Sequence, residues 1–240
     1  MAWLTTHRAA GNFSFARSLV DHHLAGQGGS LVATSYDDAA VARSKYENEV
    51  DANMEAIEAA SGTVLFGVDG TDLARCKALR HRKFTRIVFN FPHAGAGIKD
   101  QDRNIRVNQE LLLAFFASAK QFLADTDGSE VHVSLKSGEP YNSWQVRKLA
   151  RAHGLACVRS MAFRPECYPG YAHRRTLGFK EGVSASGNEE IMDKNPRMLI
   201  FARKEDSDHT NIKKSATKGA KTRRSEAQHP NHSDDDDDEE

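Results

Sequence analysis

Short apolar runs alternate with amphipathic stretches along most of this chain. Residues 30–35, 63–68, 86–91, 130–135, 155–163 and 198–202 are runs of strand length. Between them the apolar spacing turns helical. Residues 14–25 read as a helix, and residues 38–60 as one long helix with Val41, Tyr46, Val50, Met54 and Ile57 three to five apart. Residues 71–82 form a third, with Thr71 or Asp72 as cap. The clearest is 104–124, where Leu112, Phe115, Phe116, Ala119, Phe122 and Leu123 make one apolar face, and 143–153 is the last. Such alternation predicts an α/β domain: a mostly parallel sheet with helices on both faces. The first ten residues, Met-Ala-Trp-Leu-Thr-Thr-His-Arg-Ala-Ala, make a poor central strand, so the first strand is expected to be degenerate or missing. Residues 164–197 form a loop too long to be idle in a compact domain.

The length of 240 residues suits one domain plus a tail. The expected division is an atypical N-terminus at 1–10, the domain at 11–204, and a disordered tail at 205–240, basic first and then acidic. The formal net charge of zero hides this division. Of 33 Lys and Arg, six lie in the tail, leaving 27 in residues 1–204; of 33 Asp and Glu, eleven lie there, leaving 22. The domain is thus mildly basic, which suits a nucleic-acid partner. The run Lys213–Arg224 reads as a solvated linker or as a nuclear or nucleolar address. Cys76, Cys157 and Cys167 are odd in number and lack CxxC spacing, so neither a disulfide framework nor a metal site is expected, and a reducing compartment is. The longest apolar run, Leu111 to Ala117, is too short to span a bilayer, and no signal peptide is read at the start.

The candidate chemistry lies at Asn90-Phe91-Pro92-His93, directly after a β-branched and aromatic run. Polar residues there sit at the carboxyl end of a strand, where open α/β sheets bind ligands. Upstream, in order, come Gly11-Asn12-Phe13-Ser14-Phe15, Ala33-Thr34-Ser35-Tyr36-Asp37 and Gly67-Val68-Asp69-Gly70-Thr71; downstream comes Tyr168-Pro169-Gly170-Tyr171-Ala172-His173-Arg174-Arg175-Thr176. With this set the chain resembles the Rossmann-like methyltransferases that modify uridine N3 in eukaryotic large-subunit rRNA, over residues 11–204. The resemblance implies a class I methyltransferase sheet closed by an antiparallel edge pair, 155–163 with 198–202. It further implies S-adenosyl-L-methionine as donor, ribosomal RNA (pre-rRNA or the pre-ribosome) as partner, and a nucleolar or nuclear location, with the cytoplasm as alternative. A monomer is expected. The family carries Gly-Glu-Gly before Asn-Phe-Ser-Phe, whereas this chain has Ala9-Ala10-Gly11, a departure that implies weak donor binding.

Each candidate residue has two readings. Gly11 either lets the backbone approach the donor at a helix start or is an ordinary turn glycine. Asn12, Phe13 and Ser14 join it through the resemblance. Asp37 is assigned to the donor ribose, with helix capping by Asp37 or Asp38 as the alternative. Asp69 is assigned to the adenine amino group or to a turn before Gly70. As implied by the resemblance, Asn90 reads the uracil edge, Phe91 stacks on the flipped base, Pro92 stiffens the loop, and His93 is a base or a bystander. Ala94–Gly97 and Lys99–Asn104 read as a flexible, charged loop that either closes over the site or is a plain connector. Lys136 and Tyr141 are assigned to RNA, against a solvated charge and a ring packed with Trp144. The segment with Tyr168, Tyr171, His173, Arg174 and Arg175 mixes aromatics and arginines as single-stranded RNA sites do; alternatively it covers a core edge. Two other functions stay open: a catalytically impaired RNA-binding ribosome-assembly factor, and a methyltransferase of another acceptor such as tRNA or an amino group.

Overall fold

The computed structural model describes residues 1–7, 11–25, 28–95, 97–174 and 188–205. By its internal contacts the chain divides into Met1–Lys204 and Glu205–Glu240, and every element below belongs to the first unit. The tail readings, the Ala9-Ala10 departure, and Arg175 and Thr176 lie outside the described residues.

Seven strands form one sheet: β1 (Trp3–His7), β2 (Leu31–Ser35), β3 (Thr63–Leu65), β4 (Arg86–Asn90), β5 (Glu130–Leu135), β6 (Leu155–Ala162) and β7 (Arg197–Arg203), in spatial order β3-β2-β1-β4-β5-β7-β6. β1 to β5 run parallel, and β7 runs antiparallel to both β5 and β6. This is the Rossmann-like sheet of class I methyltransferases, with its antiparallel edge pair. The order reverses between β1 and β4, so the carboxyl ends of these two strands flank the crevice in which such sheets bind ligands.

Side chains alternate across the sheet, so neighbouring positions on one strand enter different cores. Ile87 and Phe89 join Val131, Val133 and the apolar face of α4 (Gln101–Phe122), with Val146 and Ala150 of α5 (Val146–Ala152). Val88 points the other way, into a core with Phe15 and Leu19 of α1 (Ser14–His22), Tyr46 of α2 (Ala39–Tyr46) and Val50 and Ile57 of α3 (Asn48–Ala59). Asp100 caps α4, its carboxylate accepting from the Arg103 amide at 2.7 Å. A cap of this kind contributes about 1 kcal/mol.

Four expectations need correction. The first strand is neither missing nor degenerate as a structural element: β1 pairs with β2 and β4 and sits third in the sheet. Its Thr5 and Thr6 are polar but β-branched, and both are buried with Leu4. The 38–60 helix is two helices, broken at Glu47, whose φ of 49° is left-handed. Residues 71–82 form only two 3-10 turns, Leu73–Arg75 and Lys77–Leu79. Leu73, Cys76 and Leu79 face the core three positions apart, the spacing of 3-10 turns, and exposed residues fill the positions between them. Lastly, Gln101–Asn104 is the first turn of α4 and not loop.

Candidate active site

The strand register lines up polar positions at the carboxyl edge. Asn90 pairs with Ser134, Thr6 with both Thr34 and Phe89, and His7 with Ser35, so Ser35, His7, Asn90 and Ser134 share one row across four neighbouring strands. Ser35 and Asn90 are two strands apart, about 10 Å at the usual strand spacing.

On the β2 side the sequence-predicted donor residues meet around Tyr46. Its phenol is pushed up to about 12 by burial first and by the Asp37 carboxylate second, against a hydrogen bond from the Gly11 backbone. A Cβ on Gly11 would come within 2.8 Å of Ser35 Oγ and 3.3 Å of the Tyr46 ring, so any side chain there would have to displace the Ser35 hydroxyl and crowd the ring. Asp38, and not Asp37, caps α2 by accepting from the Val41 amide at 2.8 Å. Asp37 is thereby free for another partner, and Lys45 Nζ sits between its oxygens at 2.9 and 2.8 Å. Asp69 forms the turn of the bland reading: its Oδ1 accepts from the Thr71 amide at 2.9 Å and from the Thr71 hydroxyl at 2.7 Å. Ser35 Oγ is buried with no hydrogen-bond partner among the described residues, an orphaned polar atom beside Gly11.

Asn12, Phe13 and Ser14 are not surface groups. Phe13 is buried edge-on to Phe66 at 5.2 Å and starts α1 with a left-handed φ of 61°. Asn12 Nδ2 donates to Glu49 at 3.0 Å and to the Ala172 carbonyl at 3.2 Å, while the Ser14 hydroxyl and the Ala172 backbone are within hydrogen-bond distance in both directions at 3.1 Å. These side chains fasten residues 171–174 onto the start of α1.

On the β4 side, Asn90 is fully buried. The Ser134 hydroxyl donates to its Oδ1 at 2.7 Å, and its Nδ2 has no partner among the described residues. An unpaired buried amide donor is costly, which makes Asn90 a candidate ligand contact. Phe91 is a correction. It is only 6% exposed, held edge-on between Phe163 at 5.1 Å and His173 at 5.0 Å, and cannot stack on a base. Its left-handed φ of 49° is strain of the kind found at ligand sites, and it turns the chain so that buried Pro92 and half-buried His93 follow.

His93 is poorly suited to be a base. Gly95, itself at a left-handed φ of 67°, directs its amide onto His93 Nδ1 at 2.9 Å. That nitrogen is an acceptor already in use, so the proton of the neutral ring rides on Nε2. Burial first, and the Lys136 charge second, hold the ring's pKa below 6.5. The Asn108 side chain fixes the loop from α4 by accepting from the Ala94 amide at 2.9 Å.

The RNA candidates divide. Lys136 is close enough to depress His93, and its Nζ pairs with Glu190 of α6 (Glu189–Met192) at 2.6 Å. Tyr141 packs edge-on to buried Trp144 at 5.1 Å, as its bland reading had it. Tyr168 stacks on Phe163 at 5.5 Å, and Tyr171 and His173 are buried. Arg174 forms an ion pair with Glu49. Burial raises the Glu49 pKa, but hydrogen bonds from Arg174 and Asn12 outweigh it and hold the carboxyl below its usual value. The described part of the aromatic and arginine-rich segment, residues 168–174, is therefore a cover latched to α3, not an open RNA platform. Sequence reading passed over four exposed cations near Lys136: Arg147, Lys148, Arg151 and Arg197. Three of them recur at i, i+1 and i+4 on α5, a signal visible in the sequence.

Among the described residues no cluster could hold a metal ion, and no helix is long and apolar enough to cross a membrane.

Known proteins resemble this chain over most of its length. Residues 9–175 match the BMT5-like family, rRNA (uridine-N3-)-methyltransferase BTM5-like. The 25S rRNA (uridine(2634)-N(3))-methyltransferase of Saccharomyces cerevisiae is 30% identical over 242 residues, covering 80% of this chain and 70% of that protein. Heavy metal-associated isoprenylated plant protein 41 of Arabidopsis thaliana is 36% identical over 169 residues, or 70% of this chain; the chain spans only 32% of that protein's length. Among solved structures, the ribosomal protein L11 methylase of Lactobacillus delbrueckii subsp. bulgaricus aligns with a TM-score of 0.45 at 14% identity, over 84% of this chain and 70% of that one.

Proposed function

The chain belongs to the BMT5-like family of rRNA (uridine-N3-)-methyltransferases, and from that premise we propose that it methylates N3 of a uridine in large-subunit rRNA with S-adenosylmethionine as donor. When bound, the donor supplies an electrophilic methyl group on a sulfonium. Gly11, Ser35 and Asp37 would hold it on the β2 side; the close-approach glycine, the orphaned Ser35 hydroxyl and the ionisable Asp37 fit a group with a nucleoside end. Asp69 has one carboxylate oxygen committed to its turn and Oδ2 left for the adenine amino group.

The observation that carries the reading is the orphaned Nδ2 of Asn90 at the end of β4. Uridine N3 becomes a nucleophile only when its proton leaves, and the charge then spreads onto the two flanking carbonyl oxygens. Asn90 Nδ2, His93 Nε2–H and the Lys136 ammonium are all donors or cations. A set of this kind stabilises that anion without a side-chain base. His93 is therefore assigned as a donor to the uracil edge, and the proton goes to solvent. Phe91 and Pro92 shape the loop; Phe91 does not stack. An rRNA acceptor suits action on pre-rRNA or the pre-ribosome in the nucleolus or nucleus.

The test is nucleoside analysis after incubating the protein, labelled donor and large-subunit rRNA. 3-Methyluridine in the digest is expected. Label in tRNA alone, or in an amino nitrogen of adenosine or cytidine, would overturn the acceptor. Donor binding with no transfer to any RNA would leave an RNA-binding assembly factor instead.

A further inference from the structure

We infer that a basic cleft beside the transfer site holds the phosphates of the RNA strand flanking the target nucleotide; this rests on the RNA-methyltransferase reading. The cleft, of about 470 Å³, lies between α5 and the ends of β5, β6 and β7. Its lining includes apolar Leu135 and Leu199, together with Lys136, Arg147, Lys148, Arg151 and Arg197, and no carboxylate. Lys136 belongs to both places: it lines the cleft and its charge is felt by His93. A strand leaving the target base at Asn90 would thus enter the cleft at Lys136.

The four further cations are exposed, and none is in an ion pair among the described residues. Their placement works against the fold. Arg147 and Arg151 stand one turn apart on α5, where like charges repel. Arg147 and Lys148 begin that helix, where its dipole disfavours cations. Arg197 is fixed in place, its guanidinium donating to Ser160 Oγ at 2.9 Å and to the Ser160 carbonyl at 3.0 Å. Uncompensated like charges gathered around a concave site, with one held rigid, are what a polyanion recognises. An arginine-lined cleft at a sheet edge fits a single strand, whose phosphates follow the groove while one base is splayed into the site.

The test measures binding of the whole chain to a fluorescent single-stranded fragment carrying the target uridine, across a salt series. For Arg147→Gln with Arg151→Gln, RNA affinity should fall at least tenfold. The slope of log affinity against log salt should shrink by about 1.4, at about 0.7 per phosphate lost. Arg147→Lys with Arg151→Lys should retain most of the affinity. Donor affinity should match the parent in both pairs, and the melting temperature of the Gln pair should be no lower than the parent's, since the repulsion is relieved. Parent-like RNA affinity and slope in the Gln pair would overturn the proposal, as would tighter binding of polyglutamate than of RNA. Because the readout is binding, it separates from the catalytic reading. Loss of RNA binding without any methyl transfer by the parent would sink the reaction but keep the cleft. Transfer by the parent with unaltered binding in the Gln pair would do the reverse.

Discussion

Ser134 and Asn90 are cross-strand partners on β5 and β4, and the Ser134 hydroxyl donates to Asn90 Oδ1 at 2.7 Å. With that oxygen engaged, the amide is oriented so that its nitrogen, which has no partner among the described residues, is the group left to present. Ser134 is therefore a positioning residue. Ser134→Ala should cost about 1 kcal/mol of stability and slow methyl transfer by roughly tenfold, with donor affinity unchanged. Thermal melting and single-turnover transfer check this, and a parent-like rate would remove Ser134 from the account.

Asp37 should dominate donor affinity. Asp37→Ala removes a charged acceptor and should weaken donor binding by about 1.5–3 kcal/mol, with the fold intact because Asp38 supplies the helix cap. Lys45→Ala should tighten donor binding modestly, since the Lys45–Asp37 pair no longer has to be broken. Calorimetric titration decides; unchanged affinity in Asp37→Ala contradicts the ribose assignment.

His93 gives a test by substitution. Gln keeps an N–H donor but is no base, so His93→Gln should stay within about tenfold of the parent while His93→Ala falls by about 10²-fold. Equal loss in both would restore the base role. The same residue gives a pH signature. Burial, then Lys136, lowers its folded pKa below 6.5, so the unfolded chain binds the proton more tightly. His93 therefore contributes fully to stability above pH 6.5 and loses that contribution as pH falls through the lowered folded value. Denaturant melts of His93→Gln should decline less below pH 6.5 than the parent's.

The Glu49–Arg174 pair should hold the cover closed. Glu49 is 42% exposed and Arg174 15%, so solvent screening limits the pair, and Glu49→Gln should cost about 1 kcal/mol. In a domain this size that is about 2–4 °C in melting temperature. Proteolysis should quicken between Tyr168 and Arg174, and unchanged cleavage there would show that the pair latches nothing.

The alternation of apolar runs made β2, β4, β5 and β7 legible, because those strands are largely buried and their composition follows burial. β6 is mostly half-buried or exposed and was legible only from the length of its apolar run. β1 was not, because its buried Thr5 and Thr6 read as polar in the sequence although their backbone is paired on both sides. The Glu47 break was hidden because apolar spacing continues through it in Val50 and Ile57. Asn90 was legible from its place after a strand. The burial of Phe91, Tyr171 and His173 was not: aromatic residues in a Gly-Pro loop look alike whether they face RNA or a core that only the tertiary fold creates.

The most direct test is single-turnover methyl transfer to a large-subunit rRNA fragment by Asn90→Ala beside the parent, with a donor titration of each. The parent should form 3-methyluridine, and Asn90→Ala should bind the donor as tightly yet transfer at least about 10²-fold more slowly. Transfer at the parent's rate by Asn90→Ala would contradict the assignment of the β4 edge as the place where uracil is held.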